Sequence, residues 1–311
     1  MTRGRVDVHH HFFPASIQKE KLDPRTGFRT PPENLPWTPQ LSLKFMDEAG
    51  IDTAILSLPA LASGSIGDAN RTLARQMNRD MARIRDEHPT RFGFFATLPF
   101  LQDVRGALAE IAYASDQLKA DGVAISSSYG EGPHAKYVGD RLYEPIWAEL
   151  NARRAVVFLH GTQTPSSTPH PNALLGLPIV EVPNETFKAA SHLVITGTKC
   201  KYPDIQIILA HMGGSTPFLS PRVAVLSNYM GCKLTPEEIL AGFKSFYFDT
   251  ALSSHEVTLS AMQSFVTPDP VSREMANWYT QNLEQFYGKA KDTEEKITFR
   301  NALNLFPRLQ G

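Results

Sequence analysis

A chain of 311 residues with 42% hydrophobic side chains can bury a large core, and a formal net charge of −1 leaves no broad electrostatic footprint for nucleic acid or an anionic membrane. Its two cysteines, Cys200 and Cys232, form no Cys-x-x-Cys and read as free thiols of a reducing compartment rather than a disulfide framework. No apolar run approaches the roughly 18 residues of a membrane span, and no secretory leader is expected ahead of a strand that starts near residue 5, so a soluble cytosolic protein is expected.

In chain order, RVDVHH (5–10) is expected to open as a strand, followed by a long Pro-rich connection (14–37) and a helix over 38–50. A second strand, DTAILSL (52–58), precedes a helix over 69–89 that ends at Pro89; a third, RFGFFATL (91–98), precedes a helix over 103–118. GVAISS (122–127) is strand four, with a helix over 143–154 after it. AVVFLH (155–160) is strand five, followed by a second long loop (161–183) and a helix over 184–203 capped by Asn184 and closed by Pro203. IQIILAH (205–211) and SFYFDT (245–250) give strands six and seven, and residues 253–266 a helix. Strand–helix alternation implies parallel strands with helical crossovers, so the expected fold is one α/β domain over 1–311, a (β/α)8 TIM-type barrel. The alternative, a doubly wound sheet, lacks a Gly-x-Gly-x-x-Gly after any strand. Both long loops follow strand C-termini, where a barrel places its chemistry, and read as lids over a pocket.

Ten histidines are present, and four of them fall at strand ends: His9 and His11 on strand one, His160 on strand five, His211 on strand six. A strand sends alternate side chains to one face, so His9 and His11 project together and His10 away. Imidazoles converging at a barrel mouth can share one metal ion, which makes His9 and His11 candidate ligands. Asp7, two residues before His9, is expected on the same face, either orienting a ligand histidine or satisfying the barrel floor. His10, His88, His134, His170, His192 and His255 read as structural or solvated.

VDVHHHFFP (6–14), FLHG (158–161), LAHMGG (209–214), FYFDTA (246–251) and the ending NALNLFPRL (301–309) resemble the amidohydrolase-related decarboxylases. That group includes the aminocarboxymuconate semialdehyde and γ-resorcylate decarboxylases, and within it the pattern is most similar to the fungal decarboxylases of 6-methylsalicylate. The resemblance spans nearly the whole chain. It implies that His9, His11 and His160 hold one divalent metal, that His211 is a catalytic histidine beside the substrate, and that the protein is a homodimer acting on a small aromatic carboxylic acid. The product would be m-cresol and CO2.

The family's remaining ligand, an aspartate in a Gly-Ser-Asp-aromatic-Pro motif on strand eight, has no counterpart here. After strand seven the chain reads as a helix, then as turn residues running into another helix (267–279), with no β run between. An internal deletion is the simplest cause. Asp249 and Asp269 are the candidate replacement carboxylates, and turnover by the chain is expected to be very poor or absent. A nitrogen-rich site favours zinc, with manganese as the alternative. Phe12, Phe94 and Phe95 are candidates to wall a flat ring, and Arg222 reads as a surface residue. Two other functions compete: a mononuclear hydrolase of a lactone or amide, and a non-catalytic variant. A binuclear hydrolase would need a bridging lysine on strand four, which GVAISS lacks.

Overall fold

Alternation along the strands divides the buried apolar residues into two sets. In a computed structural model describing residues 4–14, 35–58, 66–130, 132–162, 172, 174–266, 293 and 295–310, the two sets occupy opposite faces of one sheet. Its strands are β1 (Val6–His11), β2 (Thr53–Ser57), β3 (Phe92–Thr97), β4 (Gly122–Ser126), β7 (Val156–His160), β8 (Gln206–Leu209) and β9 (Tyr247–Phe248), all parallel and paired in that order. A short antiparallel pair, β5 (Ser128–Tyr129) and β6 (Lys136–Tyr137), follows β4. The crossovers carry α1 (Pro39–Ala49), α2 (Asp68–Glu87), α3 (Val104–Asp116) and α4 (Glu144–Ala152). Beyond β7 come α5 (Glu181–Ile195) and α6 (Thr198–Lys201), then α7 (Thr216–Leu226), α8 (Pro236–Lys244), α9 (Glu256–Phe265) and α10 (Asn301–Leu305).

Val6, Val8, Ile55, Phe95, Phe158 and Ile208 point into the curl of the sheet, where Phe306 and Leu305 of the C-terminal segment close the floor. Leu56, Phe94, Val123, Val157 and Leu209 point outward against Met77, Met81, Ile111, Trp147 and Leu193 of the helices. Each fully buried side chain of this size is worth roughly 1.5–3 kcal/mol. The two faces together therefore fix which residues reach the interior.

The sheet curls far enough for side chains at its two edges to meet: His9 Nδ1 on β1 lies 2.6 Å from Oδ2 of Asp249, one residue beyond β9. This is the α/β barrel architecture anticipated above. Among the described residues no strand stands between β9 and β1. The stretch 267–279 and Asp269 lie outside the described residues, as do most of the two long loops.

Several elements differ from expectation. The helix expected over 184–203 starts earlier, so Asn184 lies inside α5 rather than capping it, and it breaks at Gly197, whose φ of 77° is left-handed. Strand seven shrinks to Tyr247–Phe248. The apolar helix α7 escaped the period-based reading because it has little polar face: Phe218, Leu219, Val225 and Leu226 are exposed on it beside Arg222.

Candidate metal centre

The site begins with an irregularity in β1. Asp7 stands opposite Ala54 and His10 opposite Leu56, so three steps on β1 match two on β2, the signature of a bulge. The His9 N–H donates instead to Oδ1 of Asp7, at 2.7 Å. The extra residue moves Asp7 to the outer face with His10, not to the inner face with His9, correcting the placement expected from simple alternation. Asp7 Oδ2 accepts from His10 Nδ1 at 2.7 Å, and His10 Nε2 meets Ser42 Oγ of α1 at 2.6 Å. The order Asp–His–Ser imitates a hydrolase triad, but the three residues are buried between sheet and helix, with Ser42 4% exposed. No substrate reaches that hydroxyl, and the trio docks α1 and fixes the bulge.

On the inner face His9, His11 and His160 present one nitrogen each within a group spanning 4.8 Å. His9 Nε2 and His11 Nε2 are 3.1 Å apart. Nitrogens sharing one ion at about 2.0–2.1 Å stand roughly 3.0–3.4 Å from each other, so this pair already has the separation of cis ligands. The tautomers suit that role. Asp249 can only accept, so His9 carries its proton on Nδ1 and turns the Nε2 lone pair inward. His160 Nδ1 donates to the Gly161 carbonyl at 2.8 Å, which likewise frees Nε2. Burial, followed by the neighbouring His9 imidazole, pushes His160 down to about 3, which leaves its ring neutral. The three-imidazole donor set fits a divalent cation. Beneath it, Phe158 meets His9 edge-on at 5.0 Å and stacks on Phe95 at 5.5 Å.

His211 joins the cluster from β8, its ring centroid 4.8 Å from His9 and 5.0 Å from His160, but outside the group of three converging nitrogens. Its backbone is strained: His211 and Met212 have φ of 54° and 56°, and Gly213 and Gly214 continue at 68° and 60°. Gly214 is required there, since a Cβ would lie 2.0 Å from the Pro183 carbonyl oxygen. Two consecutive non-glycine residues in this region cost about 1–3 kcal/mol each, a strain the surrounding structure must hold in place. His211 Nδ1 is buried without a partner, as is Ser126 Oγ, which lies beside His160 in the β4–β7 ladder. Leaving such an atom unpaired costs about 1–3 kcal/mol, a cost a bound ligand would remove. Burial and the two neighbouring imidazoles hold His211 well below the usual histidine range.

The remaining candidates separate. Asp249 is wholly buried behind His9: Oδ2 takes the His9 ring, and Oδ1 accepts from the backbone N–H of His211 at 2.7 Å and of Ala251 at 3.1 Å. Both of its oxygens are thus engaged by protein groups, and the converging ligand atoms are those of His9, His11 and His160. Phe94 is not brought to the site; it faces the helices, with the Arg85 guanidinium 5.3 Å over its ring. Phe12 packs edge-on to Trp37 at 5.2 Å in the same outer cluster. Of the three phenylalanines only Phe95 faces inward, two rings below His9. Sequence reasoning missed Ser126 and the partnership of Asp249 with His9. The Gly-Gly after His211 was the available signal for its strained turn.

Comparison with known proteins agrees with this geometry. The family described as Amidohydrolase matches residues 6–267. A 6-methylsalicylic acid decarboxylase of Penicillium expansum is 37% identical over 320 residues, covering 99% of this chain and 98% of that protein. A gamma-resorcylate decarboxylase of a Rhizobium species is 31% identical over 232 residues, covering 71% of this chain and 70% of that protein. Among solved structures, a dihydroxybenzoic acid decarboxylase from a Polaromonas species, with bound manganese and the inhibitor 2-nitroresorcinol, superimposes with a TM-score of 0.81 at 26% identity over 98% of this chain and 97% of that one. With its parallel curled sheet and histidines gathered at the strand ends, this chain belongs to the amidohydrolase family.

Proposed function

We propose that the protein is a metal-dependent, non-oxidative decarboxylase of a hydroxybenzoate, with 6-methylsalicylate the preferred candidate and m-cresol and CO2 the products. The observation carrying this reading is the convergence of three imidazole nitrogens, from His9, His11 and His160, beside a fourth buried imidazole with an unpaired nitrogen. The named activities of the relatives supply the substrate class.

His9, His11 and His160 would hold the ion, which supplies Lewis-acid polarisation of the carboxylate and phenolate oxygens when bound. Zinc is preferred for a nitrogen-rich donor set, and manganese is the ion in the Polaromonas relative. Decarboxylation requires a proton on the ring carbon bearing the carboxylate. The C–C bond then breaks, its electron pair restores aromaticity, and CO2 leaves. His211 stands where it can relay that proton: its ring lies against His9 and His160, and its buried Nδ1 has no hydrogen-bond partner in the structure. A strand-eight carboxylate would ordinarily share this task, and its absence from the sequence makes turnover slow.

The apolar side of α7 supports a homodimer. Phe218, Val225 and Leu226, with Tyr229 and Met230 just beyond, are exposed on a helix beside the site-forming turn. Mass measurement in solution should give a dimer that Phe218→Asp with Val225→Asp converts to a monomer; a monomeric parent would remove this part of the proposal.

The activity test is CO2 release from a panel of hydroxybenzoates by metal-reconstituted protein, alongside lactone and amide hydrolysis. Slow, chelator-sensitive CO2 release is expected. Inserting about 15 residues with a strand and Gly-Ser-Asp between Thr267 and Asp269 should raise it by about 10²–10⁴-fold, the usual scale of acid–base help. Hydrolysis without CO2 release, or bound metal with no turnover in either chain, would overturn the assignment.

A further inference from the structure

Asp249 links three things that the sequence keeps apart: the inner histidine of β1, the strained turn after β8, and the last strand of the sheet. It is buried, and its two oxygens do different work. Oδ2 receives the His9 Nδ1 proton at 2.6 Å, while Oδ1 receives the N–H of His211 and of Ala251. We propose that Asp249 is the positioning residue of the centre, using one oxygen to fix the His9 tautomer for metal binding and the other to hold the left-handed backbone that aims His211. This rests on the metal-centre reading above and assigns Asp249 a role behind the ligand rather than on the ion.

The chemistry of the carboxylate makes the role specific. Neutral imidazole has one donor and one acceptor nitrogen, and the hydrogen bond at one decides which function the other keeps. A partner that only accepts leaves His9 with Nδ1–H and an inward-facing Nε2 lone pair, 3.1 Å from His11 Nε2. Without that partner, nothing holds the proton at Nδ1. An Nε2–H would then point at the place where the ion belongs. The second oxygen restrains His211 at a φ of 54°, a conformation that β8 continuing in extended form would not give. Because Asp249 follows β9 and His9 lies on β1, the same bond ties the two edges of the curled sheet. Metal ligation and the placement of His211 thus depend on one carboxylate.

Asp249→Asn separates the functions. Its carbonyl oxygen is retained by the two backbone N–H groups of His211 and Ala251, which turns its NH2 toward His9. His9 Nδ1 must then accept, and the ring proton moves to Nε2. The variant should keep its fold, judged by near-UV circular dichroism, yet bind zinc or manganese about 10–100-fold more weakly in calorimetric titration, the usual effect of losing a ligand's outer partner. Nitrogen-15 spectra of the metal-free proteins give a second readout, with the His9 signal identified by its loss in His9→Gln. The wild type should show the proton on Nδ1, and Asp249→Asn should show it on Nε2. A merely structural aspartate would lower stability without exchanging the tautomer. An Nε2 proton in the wild type, or unchanged tautomer and metal affinity in folded Asp249→Asn, would overturn the proposal. Should the variant fail to fold, the wild-type spectrum still decides it. A wild type that takes up no ion would defeat the metal-centre reading instead, and the tautomer would still report on Asp249.

Discussion

His9 and His10 are adjacent on β1 and live in opposite circumstances. His10 has both ring nitrogens engaged, by Asp7 at 2.7 Å and Ser42 at 2.6 Å, within the layer between sheet and helix. His9 has one nitrogen engaged by Asp249 and turns the other toward two more imidazoles on the inner wall. Both rings are buried, 8% and 4% exposed, so burial does not tell them apart. What separates them is the partner of the second nitrogen: a histidine held between a carboxylate and a hydroxyl is part of the scaffold, and one whose second nitrogen meets only other imidazoles is available for chemistry.

The largest expected effect breaks the inner side. His9→Ala with His11→Ala should abolish stoichiometric metal while leaving the protein folded, read by elemental analysis after gel filtration. Metal retained undiminished would put the ion elsewhere. Next, His211→Ala should lower CO2 release by about 10²-fold or more, the scale of lost proton transfer, with metal content nearly unchanged. Metal loss as large as that of His160→Ala would instead make His211 a ligand.

The outer side answers to stability rather than to metal. His10→Ala leaves the carboxylate of Asp7, 0% exposed, without its ring partner and the bulge without its brace. It should cost about 3–5 kcal/mol in urea unfolding, as expected for breaking a buried charged hydrogen-bonded pair. A loss below about 1 kcal/mol would show that Asp7 and His10 are not coupled as their geometry implies.

The smallest effect lies on the helical wall. Asp103 caps α3 through the Gly106 N–H at 3.0 Å and takes two bonds from Arg71, at 2.6 and 2.9 Å. The hydrogen-bonded Arg71 guanidinium holds its carboxyl below the usual range. Its stabilisation is therefore fully present above the unfolded value of about 3.9 and is lost as pH falls through the lower folded value. Asp103→Asn keeps an N-cap acceptor but removes the charge facing Arg71, and should cost about 1 kcal/mol at neutral pH. The gap to wild type should close below about pH 4; a gap that widens on acidification would contradict the sign.

Much of this was legible in the sequence. Hydrophobic period and turn residues located β1–β4, β7 and β8 to within a residue or two, because strands buried on both faces read as short apolar runs between helical patterns. His9, His11, His160 and His211 stood out because each ends a strand. The rest depended on geometry that no local pattern carries. Asp7 changed face because a bulge in β1 shifted its parity relative to His9. Phe94 and Phe95 are neighbours, so only one could face inward, and the strand register decided in favour of Phe95. Asp249 meets His9 across 240 positions because the sheet curls, a contact invisible until its ends are brought together.

The central claim is the convergence of His9, His11 and His160 on one ion. Anomalous diffraction from crystals grown with zinc or manganese tests it most directly. One peak is expected, bonded to these three imidazoles at about 2.0–2.2 Å, with Asp249 behind His9 and His211 outside the coordination sphere. A peak bonded to His211 or Asp249, or no peak within reach of His9 and His11, would contradict it.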